Sequence, residues 1–157
     1  MIDPKQLRLD IIRPVLQATG MWSQAAENLL MGTAAQESDG GRYVRQLANG
    51  PARGIFQMEP ATLDDIYANY LEYRPDLRGA VDAYLTPALG RDENLVCNLA
   101  YATLMCRVHY RRVPDALPKA DDLRGMATYW KRFYNTVQGK GTVEEFVANY
   151  MRYCGGV

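Results

Sequence analysis

The sequence has no surplus of either charge: eighteen Lys and Arg offset eighteen Asp and Glu across 157 residues. A general nucleic-acid binder needs a basic excess to displace counterions from phosphates, so this balance argues against one. It argues equally against an acidic tail or a polybasic membrane anchor. Metal-ligating side chains are scarce. There is one histidine, His109, and the three cysteines form no C-x-x-C pair, which argues against a Cys/His metal site. Cys97 and Cys106 share a predicted helix and stand about 13 Å apart along it, too far for a disulfide. With Cys154 they are expected as free thiols of a chain made in a reducing compartment. No apolar run approaches the roughly 18 residues needed to span a membrane. The opening Met-Ile-Asp-Pro-Lys-Gln lacks the apolar core of a secretory signal. Repeats, low-complexity tracts and long linkers are also missing.

What is present reads as globular. Hydrophobic residues make up 48% of the chain and charged residues 23%. The length fits one domain, which can bury about 68–70% of its unfolded surface without staples. Apolar residues recur at helical spacing over nearly the whole chain. Asp3 and Pro4 open a first helix whose stripe is Leu7, Ile11, Ile12, Val15 and Leu16, with Pro14 predicted to kink or split it and Gly20 to end it. Ser23 caps a second, with Ala26, Leu29, Leu30, Thr33 and Glu37 inward. Residues 39–60 carry glycines and an Asn-Gly-Pro, which mark irregular chain with at most a short hairpin at 40–58. Further helices are predicted with Leu63, Ile66, Tyr67, Tyr70 and Leu71 on one face and a stop before Pro75, around 76–86, from an Asp92 cap to about Arg112, from Asp121 or Asp122 with Leu123, Met126, Ala127, Trp130 and Tyr134 inward, and from the Thr142–Glu145 capping box to about Cys154. The expectation is one all-α domain over residues 1–157.

Two neighbouring stretches carry the chemistry. In Ala34-Ala-Gln-Glu37-Ser38, a carboxylate sits at the C-terminal end of an apolar helix face. Burial and the helix dipole both disfavour the anion there and raise its pKa. A carboxyl kept protonated in an apolar wall is what general-acid cleavage of a glycosidic bond needs. Ser38 can bond the carboxyl or the following loop. The alternative is a helix-end carboxylate that is solvated, or paired with Arg42 or Arg53. In Gly54-Ile-Phe-Gln57-Met-Glu-Pro60-Ala-Thr62, Gly54 permits close backbone approach to a ligand. Gln57 offers both a donor and an acceptor to sugar hydroxyls and acetamido groups. The alternative is a plain turn before a helix, with Ile55, Phe56 and Met58 in the core.

Taken together, these stretches resemble the soluble-type lytic transglycosylases, relatives of goose-type lysozyme. In that family a Glu-Ser pair ends a helix in the cleft. About twenty residues on comes Gly-Leu-Met-Gln-Ile-Met-Pro-x-Thr. Gly54, Gln57, Pro60 and Thr62 match it identically, Ile55 and Met58 conservatively, and Glu59 replaces a Met. Asn94-Leu95 with Tyr101 resembles the family's Asn-Ile…Tyr motif, with Asn98 where that motif has Gly. Met126-Ala-Thr-Tyr129 resembles Ala-Ala-Tyr-Asn-Ala-Gly, with Trp130 in place of the Asn. The resemblance spans about residues 23–137.

The resemblance implies a lysozyme-like fold and cleavage of the N-acetylmuramic acid–N-acetylglucosamine bond in peptidoglycan glycan strands, with no cofactor or metal. Glu37 would be the single acid and base. The substrate's acetamido group and muramic 6-hydroxyl would replace a second carboxylate and give a 1,6-anhydro product. Tyr129 would orient Glu37 or the acetamido group, and Gln57 and Tyr101 would line sugar subsites, beside Ser38, Gly54, Met58 and Glu59. A hydrolase would instead need a second carboxylate at about 5–5.5 Å for retention or 6.5–9.5 Å for inversion. Asp39 and Glu59 are the candidates for it, with Asp64 and Asp65 expected to be solvated. His109, among Arg107, Arg111 and Arg112, reads as a solvated helix end. The eleven tyrosines suit stacking on sugars, core packing or an interface.

A wall-cutting domain without signal peptide or wall-binding repeats leads to the expectation of a bacteriophage enzyme. It would be made in the host cytoplasm and act on the wall, docked on tail or internal virion proteins or released as an endolysin. The neutral charge favours the docked form. The contrasting reading is a catalytically silent lysozyme-like module of a phage tail.

Overall fold

The computed structural model describes residues 1–136 and 138–156. Val137 and Val157, where the resemblance and the predicted domain end, lie outside them. The described chain is helical, and its only β-pairing among those residues is two isolated bridges, Arg45 with Arg53 and Arg53 with Met58. The all-α expectation holds, and the allowed hairpin at 40–58 is reduced to these bridges. No helix is long and apolar enough to cross a membrane among the described residues.

Helix α1 (Pro4–Gln6) starts where Asp3 accepts a hydrogen bond from the Gln6 amide, and it runs through a wide π turn (Leu7–Ile12) into α2 (Arg13–Ala18). Pro14 therefore does not split the helix. It cannot donate to the carbonyl of Asp10, and the widened turn carries the backbone past its ring. Ser23 caps α3 (Gln24–Ser38) by accepting from Ala26 N. The remaining helices are α4 (Pro60–Asn69), α5 (Pro75–Asp82), α6 (Arg91–Cys97), α7 (Leu99–Arg111), α8 (Leu123–Trp130) and α9 (Val143–Cys154). Helix α8 continues into a second π turn, Lys131–Asn135. Thr142 and Glu145 form the expected reciprocal capping box at the start of α9.

The single long helix predicted from Asp92 to Arg112 is instead α6 and α7, broken at Asn98. The Asn98 backbone is extended, its side-chain oxygen accepts from Tyr101 N, and its amide donates to Tyr84 O. An Asn that satisfies both the next helix start and a neighbouring loop competes successfully with helix continuation. Asp92 lies inside α6, and Gly90 is its N-cap.

The core is one cluster running from Leu7 to Cys154. Helix α3 is its axis, packed most closely on α9 and touching α7 and α8. The contact with α9 depends on Gly32: a Cβ there would lie 2.3 Å from the Phe146 ring. At the other end of α3 the chain must turn sharply. Ser38 Oγ is fully buried, donates to Ile55 O at 2.6 Å and accepts from Gly41 N at 2.9 Å. This ties the helix end to the following loop. That loop reverses at Gly54, whose φ is +73° and whose Cβ would lie 2.2 Å from the backbone carbonyl oxygen of Leu95. The close approach at Gly54 is thus to α6. Gly54→Ala is expected to cost about 1–3 kcal/mol from the left-handed backbone alone, with the clash added. Thermal melting should show a loss of at least about 5 °C. An unchanged melting temperature would mean that this turn is not held as described.

Candidate active site

The end of α3, the 43–62 segment and the turn after α8 enclose a cleft of about 670 Å³. Glu37, Gln57, Met58, Glu59 and Thr62 line it, with Tyr43, His109, Tyr134, Asn135 and Thr136. Two non-glycine residues of its walls have positive φ, Gln57 at +47° and Thr136 at +70°, and Asp39, two residues after Glu37, is at +52°. Such conformations persist only where surrounding structure enforces them, and they concentrate at ligand sites.

Glu37 is partly exposed to this cleft. Its carboxyl Oε1 accepts a 2.8 Å hydrogen bond from Trp130 Nε1. Burial pushes its pKa up to about 7, against the opposing pull of that bond. Neither Arg42 nor Arg53 pairs with it. Arg42 faces Asp39, and Arg53 donates to the carbonyls of Gly50 and Ala52. The backbone beside the carboxyl is pinned as well, because Tyr43 Oη donates to Glu37 O at 3.0 Å. The acid is therefore fixed, shielded and close to half-protonated near neutrality, a state suited to giving and taking one proton.

Gln57 presents itself to the cleft from a left-handed backbone, and its amide Nε2 donates to Gly54 O at 2.7 Å. Among the described residues, its carbonyl oxygen and second N–H have no protein partner and can meet a ligand. Met58 is buried in the cleft wall, while Glu59 is exposed at the start of α4. The other expected site residues lie elsewhere. Ser38 bonds the loop beneath the cleft, as one of its two readings had it, and Gly54 shapes that loop. Tyr101 is fully buried, with its hydroxyl 3.2 Å from that of Tyr67, which donates to Asp82. It is a core residue and does not line the cleft. Tyr129 Oη donates to Asp115 O at 2.9 Å, away from the cleft lining. Successive helix residues differ in direction by about 100°. Once Trp130 faces Glu37, its neighbour cannot.

Among the possible second carboxylates, Asp39 is held by Arg152 at 2.6 Å and by Arg42 at 3.6 Å. Asp65 pairs with Arg112 and Asn69, and Asp64 is exposed. Of these four, only Glu59 lines the cleft.

Sequence reasoning did not place Tyr43, His109, Tyr134, Asn135 or Thr136 among the site residues, though all line the cleft, nor Trp130, which is fully buried behind Glu37. Trp130 and Tyr134 both lay on the predicted inner face of their helix, so the signal was present. Tyr134 Oη donates to Phe56 O at 2.7 Å, which ties the turn after α8 to the 43–62 segment. His109 is not the expected solvated helix end; it is 7% exposed. Its Nε2 faces Phe133 O at 2.9 Å, and Nδ1 faces the Arg112 guanidinium at 3.3 Å. A carbonyl only accepts and a guanidinium only donates, so the ring is neutral with its proton on Nε2. Burial drives its pKa down to about 4, against the opposing pull of the Phe133 carbonyl. No group of three or more metal-ligating side chains forms among the described residues.

Set beside known proteins, the chain matches no protein-family model, no curated protein and no solved structure.

Proposed function

We propose that this chain is a lytic transglycosylase of peptidoglycan that uses Glu37 as its single acid and base. The observation that carries this reading is the Glu37 carboxyl: at the end of a helix, facing a polar cleft, with a pKa raised to about 7. Glu37 protonates the glycosidic oxygen between N-acetylmuramic acid and N-acetylglucosamine, and the bond from that oxygen to the muramic C1 breaks. The substrate's acetamido group supports the developing cation. Glu37, now ionised, takes the proton of the muramic 6-hydroxyl as that oxygen bonds to C1. The proton balance closes on one residue, and the product is a 1,6-anhydro sugar. Gln57, Asn135 and the Thr62 hydroxyl supply hydrogen bonds to the sugars. The lysozyme-like fold belongs to the same proposal. So does the setting: a component docked on tail or internal proteins of a bacteriophage particle, favoured by the balanced charge.

One observation favours a second reading. Glu59 lines the same cleft, and a carboxylate there suits hydrolysis through a positioned water. Mass spectrometry of the products of murein digestion separates the two. Anhydro-muropeptides are expected. Reducing-end products would mean a hydrolase and would direct attention to Glu59. No products at all would leave a catalytically silent module.

The first step needs protonated Glu37. Cleavage is therefore expected to fall about tenfold per pH unit on the alkaline side of about 7. A pH–rate profile that stays flat to pH 9 would remove Glu37 from the role of acid.

A further inference from the structure

We propose that Trp130 is a positioning residue that decides which oxygen of Glu37 carries the catalytic proton. This rests on the reaction proposed above. The indole N–H is a donor only, and it is directed at Glu37 Oε1 at 2.8 Å. That oxygen must accept. Oε2 has no hydrogen bond to the protein among the described residues, so it is the oxygen left to bear the proton and turn to the glycosidic oxygen. When Oε2 gives its proton away, the same N–H steadies the carboxylate until Oε2 takes the proton of the attacking hydroxyl.

The setting of the indole is built for a fixed aim. Trp130 is fully buried at the end of α8 and stacks on Phe146 of α9 with ring centroids 5.2 Å apart. Its far edge fills the space above Gly141, where a Cβ would come within 2.6 Å of the ring. Helix α9 thereby holds the donor to the acid across the core.

Among the described residues no cation pairs with Glu37. The titratable groups whose ionisation the charge of Glu37 opposes are Tyr43 from the loop, Cys106 and Tyr110 from α7, and Tyr134 from the turn after α8. Burial raises the pKa of each, so all four are neutral. His109, across the cleft, is neutral too. Asp39, next but one in the chain, is occupied by Arg152 and Arg42. Glu59 adds only another carboxyl to the cleft. Trp130 is thus the one group of the protein that favours the charged form of Glu37 among the described residues.

The test is to titrate Glu37 directly, by carbon NMR of side-chain-labelled glutamate, in wild type and Trp130→Phe. The Glu37 midpoint is expected to move upward by about one pH unit or more, the worth of a hydrogen bond to a charged group. The alkaline limb of murein cleavage should move with it, and the plateau rate should fall at least about tenfold as the carboxyl loses its orientation. Should the phenylalanine variant fail to fold, benzothienylalanine at position 130 keeps the shape and replaces only the N–H by sulfur. A midpoint that stays put or falls in either variant would overturn the proposal, even with an active wild type. An upward shift with no cleavage by wild type would overturn the reaction, and with it the catalytic role of Trp130, but not the placement of the proton.

Discussion

Glu37→Gln is expected to abolish cleavage while making the protein more stable above neutral pH. The two effects have one cause. In the proposed reaction Glu37 donates and recovers the only proton, which an amide cannot do, and a loss of at least about 10³-fold is expected where general acid–base catalysis carries the step. The stability effect follows from linkage. The folded protein holds the Glu37 proton up to about 7 instead of the usual 4.5. Stability from this group is therefore complete below about 4.5 and is lost as pH rises through about 7. Above that, ionising a buried carboxyl costs up to about 3 kcal/mol. Glutamine never ionises and can still accept from Trp130 Nε1, so the variant should melt several degrees above wild type at pH 8.5 and close to it at pH 5. A variant that melts below wild type at both pH values would show that Glu37 is not a strained acid, whatever its effect on activity.

The second large effect lies far from the cleft. Glu27 is 0% exposed, yet it is charged. Burial opposes its ionisation, and bonds from Arg13, Trp22 and Arg8 outweigh that cost, leaving its pKa at about 2. The geometry explains the outcome: Arg8 at 2.6 Å, Arg13 through two bonds of 2.8 Å, and Trp22 at 2.7 Å saturate the carboxylate. Glu27→Ala leaves the buried Arg8 guanidinium without its counter-charge and is expected to cost about 3–5 kcal/mol, on the order of 10 °C of melting temperature. The double variant Arg8→Met, Glu27→Leu should be much closer to wild type, because no charge then stays buried alone. Wild-type stability should also decline as pH falls from about 4.5 toward 2, the window in which Glu27 takes up its proton. If the double variant were as unstable as the single one, shape rather than charge would be the reason.

Much of the scaffold was legible from spacing alone. Ser23 as cap, Glu37 on the inward face of α3, and the Thr142–Glu145 box follow from helical period and capping chemistry. The inward face Met126, Ala127, Trp130 and Tyr134 already pointed to the residue that touches Glu37. The preference for Tyr129 came from motif resemblance, and one step along a helix turns a side chain to a different neighbour. Asn98 was misread because a polar residue inside a helical pattern gives no local sign of whether it will cap or continue. His109 was misread because its arginine neighbours suggested water. Those side chains fold back instead: Arg107 donates to Met21 O, and Arg112 pairs with Asp65. Nothing in a run of residues shows that a long cation will spend its charge on a distant partner.

The chain has two tryptophans, and each gives its indole N–H to a glutamate: Trp22 to the buried Glu27 and Trp130 to Glu37 at the cleft. The molecule therefore carries two optical probes, each wired to one proton. Those protons leave at opposite ends of the acid range, near 2 and near 7. Between pH 5 and 8.5 the Trp22 pair is silent, and a change in intrinsic fluorescence belongs to the proton on Glu37. The ionisation of the Glu37 carboxyl can then be followed by light emission alone, without substrate and without a label.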